Sequence, residues 1–303
     1  MLFLFFHLKN VYKSDNYVIG IETLALTSMK DFYMLQSLVS SKWLNENLNR
    51  SNIVVLYTTL IPKMKSIPQE VKTLQISGAL FFDLQGVFSD QNSSLPKTIP
   101  SEEHFQIGCQ KLGISKDSKV VVYDTLGIYS SPRVWFLFKS MGHKEVYVLN
   151  GGLRAWLAGG FKTVEKRETK VERSNFYACF HPDFLIDKSR VVEAIKSRSS
   201  VVLDARSAAR FNGEVPEIRK GLRKGHIPTS GNLYYARLLD EGKYKSMEEL
   251  KMLFDQYDAS TLIIFSCGSG ITACILLLAA NEIVQNGLLL YDGSWTEWGS
   301  STE

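Results

Sequence analysis

The feature that most limits what this chain can fold into is a diverged internal repeat. Val120-Val121-Val122-Tyr123-Asp124-Thr125 resembles Leu262-Ile263-Ile264-Phe265-Ser266-Cys267. Asn150-Gly151-Gly152 followed by Trp156 resembles Asp292-Gly293-Ser294 followed by Trp298. One offset of 142 residues carries Thr125 onto Cys267 and Trp156 onto Trp298. Two landmarks at a single spacing mark a duplicated unit. Each copy alternates short apolar strands with amphipathic helices. In the second, helices are predicted over 191–197, 247–257 and 273–284, and strands over 201–204, 262–265 and 287–291. Continuous apolar strands between helices imply an α/β fold: two mostly parallel sheets, each with helices on both faces. The division expected is an N-terminal extension at 1–35, a first domain at 36–160, a charged linker without periodicity at 161–182, and a second domain at 183–303.

The second copy carries the chemistry. Ser266-Cys267-Gly268-Ser269-Gly270-Ile271-Thr272 follows a β-branched run and precedes a helical one. That is a strand, a tight loop with one thiol, then a helix. N–H groups at a helix start converge and favour negative charge, and a cysteine placed there is held as its thiolate. Glycine lets the backbone curl around the sulfur without a Cβ clash. Cysteine is also a common buried apolar residue, so the loop alone leaves both readings open. The first copy has Thr125 where the second has Cys267, so one half is equipped for thiolate chemistry and the other supports it.

Composition excludes several classes. A net charge of +4 over 303 residues is too small and dispersed for a nucleic-acid partner. The four cysteines, Cys109, Cys179, Cys267 and Cys274, include no CxxC pair. They indicate neither a disulfide framework, a zinc site nor a dithiol redox motif, and suit a reducing compartment. The apolar start, Met1 to Phe6, is too short to span a bilayer and lacks a signal-peptide pattern. No membrane partner, metal or cofactor is expected.

Taken with Ser131-Pro132-Arg133-Val134-Trp135, Asn150 to Trp156, Gly225-His226-Ile227-Pro228 and Tyr291 to Trp298, the chain resembles the two-domain rhodanese family of sulfurtransferases over about residues 37–299. The Cys-Gly-Ser-Gly loop is similar to the mercaptopyruvate branch; the thiosulfate branch has Cys-Arg-Lys-Gly there. The resemblance implies tandem rhodanese-like domains, the second catalytic. It implies Cys267 as the nucleophile that becomes a persulfide, Ser269 as proton relay, and Arg210 and Arg219 as clamps for the substrate carboxylate. Gly268, Gly270, Ile271 and Thr272 then hold the anionic sulfur, with Thr272 also a candidate helix cap. The implied substrate is 3-mercaptopyruvate, the acceptor a thiol such as thioredoxin, or cyanide, and the location cytoplasmic or mitochondrial. The alternatives are a thiosulfate sulfurtransferase and a non-catalytic rhodanese module. A phosphatase of related architecture needs Cys-x5-Arg, and the sixth residue after Cys267 is Ala273.

One departure from the family stands out. Its mercaptopyruvate enzymes carry an aspartate and a histidine in the first domain behind the loop serine. Here no histidine precedes His104 in the corresponding stretch. Near the expected positions stand Gln85 or Gly86, and Pro96 or Lys97, with Asp83 and Asp90 as possible substitutes.

Overall fold

In the computed structural model the described residues are 36–60, 67–167, 169–197, 200–258 and 260–300; the expected extension at 1–35 lies outside them. The first half runs β1 (Leu38–Val39), α1 (Ser41–Asn47), β2 (Ile53–Thr58), α2 (Gln69–Lys72), β3 (Leu74–Ile76), β4 (Leu80–Phe81), α3 (Glu102–Lys111), β5 (Lys119–Asp124), α4 (Ser131–Ser140), β6 (Val146–Leu149), α5 (Gly152–Ala158) and β7 (Thr163–Glu165). The second runs β8 (Leu185–Ile186), α6 (Lys188–Ser197), β9 (Ser200–Asp204), α7 (Ala208–Phe211), β10 (Gly231–Asn232), β11 (Leu239–Asp240), β12 (Lys243–Tyr244), α8 (Met247–Phe254), β13 (Leu262–Ser266), α9 (Ala273–Ile283), β14 (Leu288–Tyr291) and α10 (Ser294–Trp298).

Each half builds one five-stranded sheet, ordered β1-β6-β5-β2-β4 and β8-β14-β13-β9-β10, with every neighbouring pair parallel. The two orders are the same arrangement repeated, as the sequence duplication requires. The 142-residue offset holds in three dimensions: it carries the first residues of α4, β6 and α5 onto those of α9, β14 and α10. Val, Ile and Leu dominate the central strands because these are covered on both faces. Local chemistry sets the helix starts. Ser40 and Ser101 accept backbone N–H bonds from Trp43 and His104, and Ser246 with Glu249 forms a full capping box ahead of α8.

The connection between the sheets is bound to the first half. β7 pairs antiparallel with β3. Farther on, the N–H groups of Ser174, Cys179 and His181 donate to carbonyls of Gln110, Met141 and Ser140. Phe176 is buried edge-on against Phe105 and Phe138. The charged composition that signals a linker therefore belongs to a strap whose occasional apolar residue is anchored.

The halves meet through the helices that follow their central strands. α4 packs on α9, and the β11–β12 hairpin reaches across, the Tyr244 N–H donating to Asn150 Oδ1 at 2.9 Å. The buried Arg133 guanidinium on α4 pairs with Asp292 of the second half at 2.7 Å. This places the first half beside the C-terminal ends of β13 and β14, where ligands bind in open parallel sheets. No helix among the described residues is long and apolar enough to cross a membrane.

Candidate active site

The loop after β13 carries Cys267, buried at 2% exposure. Its shape is imposed by the start of α10. Ser294 Oγ accepts the N–H groups of Cys267 and Gly270 at 3.1 and 3.2 Å while donating to the Tyr291 carbonyl. The N–H groups of Trp295 and Thr296 donate to the carbonyls of Cys267 and Gly268. Ser294 holds a left-handed backbone, φ 50°, which a serine rarely adopts. Its counterpart at the repeat offset is Gly152, φ 56°. Strain that the first half assigns to glycine is borne by a serine where its hydroxyl shapes the thiol loop.

Comparing the two loops shows what the second is built to hold. In the first, the Asp124 carboxylate accepts the N–H groups of Tyr129, Ser130 and Ser131 at 2.8, 2.9 and 3.1 Å, plus the Ser131 hydroxyl. The equivalents of those three residues are Ile271, Thr272 and Ala273, and the equivalent of Asp124 is Ser266. Among the described residues, the N–H groups of Gly268, Ser269, Ile271 and Thr272 have no protein acceptor. The first half fills its anion cradle with its own carboxylate; the second leaves the cradle open beside a thiol. Helix α9 starts at this cradle and supplies the positive end of its dipole.

Two expectations are corrected here. Gly270 does not offer its N–H to the sulfur, because Ser294 Oγ takes it. The role of Gly270 is steric: its φ is +71°, and a Cβ would fall 2.6 Å from Asp292 Oδ1. Thr272 precedes α9 but makes no side-chain capping bond, so the helix start stays open toward the site. Cys274 lies in the first turn of α9. Buried, with Sγ donating to the Gly270 carbonyl, its thiol is pushed up to about 12, chiefly by burial. It stays protonated.

The two arginines come together over the loop. Arg219 donates to Ser269 Oγ at 3.2 Å and to Thr296 Oγ1 at 3.0 Å. Burial lowers its pKa, and the Cys267 sulfur opposes that shift. Arg210 lies over Gly268, where an added Cβ would be 3.2 Å from Arg210 Nη2. Glu217 has a buried carboxylate. It pairs with Arg210 on one oxygen and Arg206 on the other, and Arg206 is itself paired to Asp204. Arg206 also lies over the Trp295 ring, 4.6 Å from its centroid. This chain of buried charges fixes the Arg210 head. His226 stacks on Phe211 and bonds its carbonyl, a turn-fixing role.

Sequence reasoning missed Ser294, Thr296, Glu217 and Tyr129. Tyr129, from the first half, feels Cys267 and Asp124; with burial as the main cause its hydroxyl is pushed up to about 12. The Gly152-to-Ser294 exchange at the repeat offset was the available signal for Ser294. Ser294→Ala leaves two buried N–H groups unpaired at about 1–3 kcal/mol each. The expected result is a lowered unfolding midpoint together with a turnover reduced by about tenfold or more, read by thermal melting and steady-state kinetics.

A duplicated parallel α/β fold, with an anion cradle occupied by a carboxylate in one copy and paired with a buried thiol in the other, defines a protein built for cysteine-anion chemistry. The chain belongs to the rhodanese-like domain family: the model for that domain matches residues 40–159 and 187–301. Among curated relatives it is 37% identical to the mitochondrial thiosulfate/3-mercaptopyruvate sulfurtransferase 1 of Arabidopsis thaliana, over 94% of this chain and 81% of that one. It is 35% identical to the 3-mercaptopyruvate sulfurtransferase of Escherichia coli strain K12, over 88% and 95%. In structure it is similar to SseA from Escherichia coli, described as a rhodanese fold of the 3-mercaptopyruvate sulfotransferases, with a TM-score of 0.76, 32% identity, and 86% and 98% coverage.

Proposed function

We propose that this protein is a sulfurtransferase that takes sulfur from 3-mercaptopyruvate and passes it to a thiol through a persulfide on Cys267. The observation that carries this reading is the open amide cradle beside Cys267, set against its carboxylate-filled twin. Cys267 thiolate attacks the substrate sulfur. An S–S bond forms, the C–S bond breaks, and its electron pair leaves on carbon as the pyruvate enolate. The substrate S–H proton, now on the persulfide, passes through the Ser269 hydroxyl to that carbon, giving pyruvate and an anionic persulfide. An acceptor thiol then attacks the outer sulfur and takes it as its own persulfide, and Cys267 returns as thiolate. The N–H groups of Gly268, Ser269, Ile271 and Thr272 stabilise the anionic sulfur throughout.

Arg210 and Arg219 clamp the carboxylate and keto oxygen of the substrate, for which planar guanidinium forks are suited. Mercaptopyruvate is favoured over thiosulfate because Ser269, not a cation, stands in the loop, and because Glu217 already balances part of the Arg210 charge. The names of the relatives support both donors, so thiosulfate is the second reading. The acceptor thiol we assign as a small thiol or a thioredoxin-type protein, and the location as cytoplasmic or mitochondrial.

Arg219→Met is expected to raise the KM for mercaptopyruvate by about tenfold or more, with Arg219→Lys intermediate. The KM for the acceptor should hold steady. Initial rates of pyruvate release check this, run beside thiosulfate. Activity with thiosulfate alone would reject the mercaptopyruvate reading.

A further inference from the structure

We infer that Lys97, a residue of the first half, is the third cation of the site, its ammonium facing the Cys267 sulfur and stabilising it as thiolate and as persulfide. The inference rests on Cys267 acting as the nucleophile. Its first support is the way residues 97–99 are fastened to the thiol loop. Arg133 Nη2 donates to the Lys97 carbonyl at 3.0 Å, while Nη1 pairs with Asp292 Oδ1 at 2.7 Å. Asp292 Oδ2 accepts the Ile99 N–H at 2.8 Å. The same Arg133 and Asp292 atoms crowd Gly270, within 3.2 and 2.6 Å of where its Cβ would be. One buried ion pair thus holds both the Lys97 segment and the Cys267 loop.

Its second support is the backbone of Lys97 itself. The φ of 65° is left-handed, a conformation that costs a lysine free energy and that surrounding contacts must impose. Its third is charge. The ammonium forms no ion pair with a carboxylate among the described residues. It lies within Coulombic reach of Cys267 and Arg219: burial and Arg219 lower its pKa, and Cys267 raises it. Two of the other cations around it are paired with carboxylates, and among the described residues Arg219 is bonded to hydroxyls only. Arg219 is bonded to Ser269 and Thr296, Arg210 to Glu217, and Arg133 to Asp292. Tyr129 also feels the charge of Cys267 and is uncharged at neutral pH. Asp83 and Asp90 cap local turns, accepting the N–H groups of Gly86 and Asn92. Lys97 is therefore, with Arg219, a cation beside the loop that no carboxylate pairs with among the described residues, and it is the one the first half supplies.

The test is alkylation of Cys267 by iodoacetamide, a neutral reagent, in a Cys179→Ser background because Cys179 is the exposed cysteine. The Cys267 peptide is followed by mass spectrometry. Lys97→Met keeps the side-chain length and removes the charge; Lys97→Arg keeps the charge. Alkylation at pH 7 is expected to slow about three- to tenfold in Lys97→Met, with its pH profile displaced upward, and to stay within about twofold in Lys97→Arg. Equal rates and profiles in wild type and Lys97→Met, both folded by thermal melting, would overturn the assignment. Lys97→Gln serves as the neutral variant if methionine disturbs folding. No sulfur donor is present, so failure of the mercaptopyruvate reading would show separately, as Lys97-dependent alkylation in a protein that releases no pyruvate.

Discussion

Cys267→Ser is expected to abolish sulfur transfer, leaving less than about a thousandth of the wild-type rate of pyruvate release. A hydroxyl in place of the thiol cannot be held as an anion by the same cradle at neutral pH, and it cannot accept a sulfur atom as persulfide. The substitution is nearly isosteric and the Cys267 backbone bonds to Ser294 and Trp295 survive it. The unfolding midpoint should therefore stay close to wild type. Incubation with mercaptopyruvate should add one sulfur to the wild-type protein by intact-mass measurement and none to Cys267→Ser. Release of pyruvate undiminished by the substitution would remove Cys267 from the mechanism.

Gly270→Ala is the second large effect, and it separates shape from chemistry. The added Cβ meets Asp292 Oδ1 at 2.6 Å and the Asp292 carbonyl at 3.2 Å, on a backbone of φ +71°. Asp292 cannot yield easily, because its other oxygen holds Ile99 and its first is paired to buried Arg133. A left-handed alanine costs about 1–2 kcal/mol, and disrupting a buried ion pair costs about 3–5 kcal/mol. Gly270→Ala should lower the unfolding midpoint by several degrees and turnover by about a hundredfold. Gly268→Ala is the control in the same loop. Its φ is not left-handed, and the nearest atom is the end of the Arg210 side chain at 3.2 Å. It should keep the fold and mainly raise the KM for the donor. Equal stability of the two variants would contradict the close approach at Asp292.

The legible part of this protein was local or periodic. The 142-residue offset, the continuous apolar strands and the strand–Cys–Gly–helix loop are patterns of neighbouring residues, and the duplicated parallel fold follows from them. The positions of α9 and β14 followed to within a residue or so, because a short apolar run such as Leu288 to Tyr291, bounded by Gly287 and Gly293, suits a buried strand. The Cys267 loop was legible for the same reason. The strap formed by β7 and Phe176 was not. One buried aromatic in a charged stretch leaves no period to detect, and its partners Phe105 and Phe138 lie far back along the chain.

By itself, then, the amino-acid sequence determined the architecture and the thiol loop, because each depends on periodicity or on residues close in the chain, while the pair Arg210 and Arg219 was singled out by the family resemblance. Only the tertiary structure decided that Ser294 holds the loop, that Glu217 steadies Arg210 from a buried position, that Asp124 fills the first cradle, and that Arg133 and Asp292 join the backbone of residues 97–99 to the Gly270 turn. Those relations join residues on different strands and halves. Their strength comes from burial, which removes water from a charge or an N–H and makes its partner necessary. Chain order carries no record of which distant groups share that dry space.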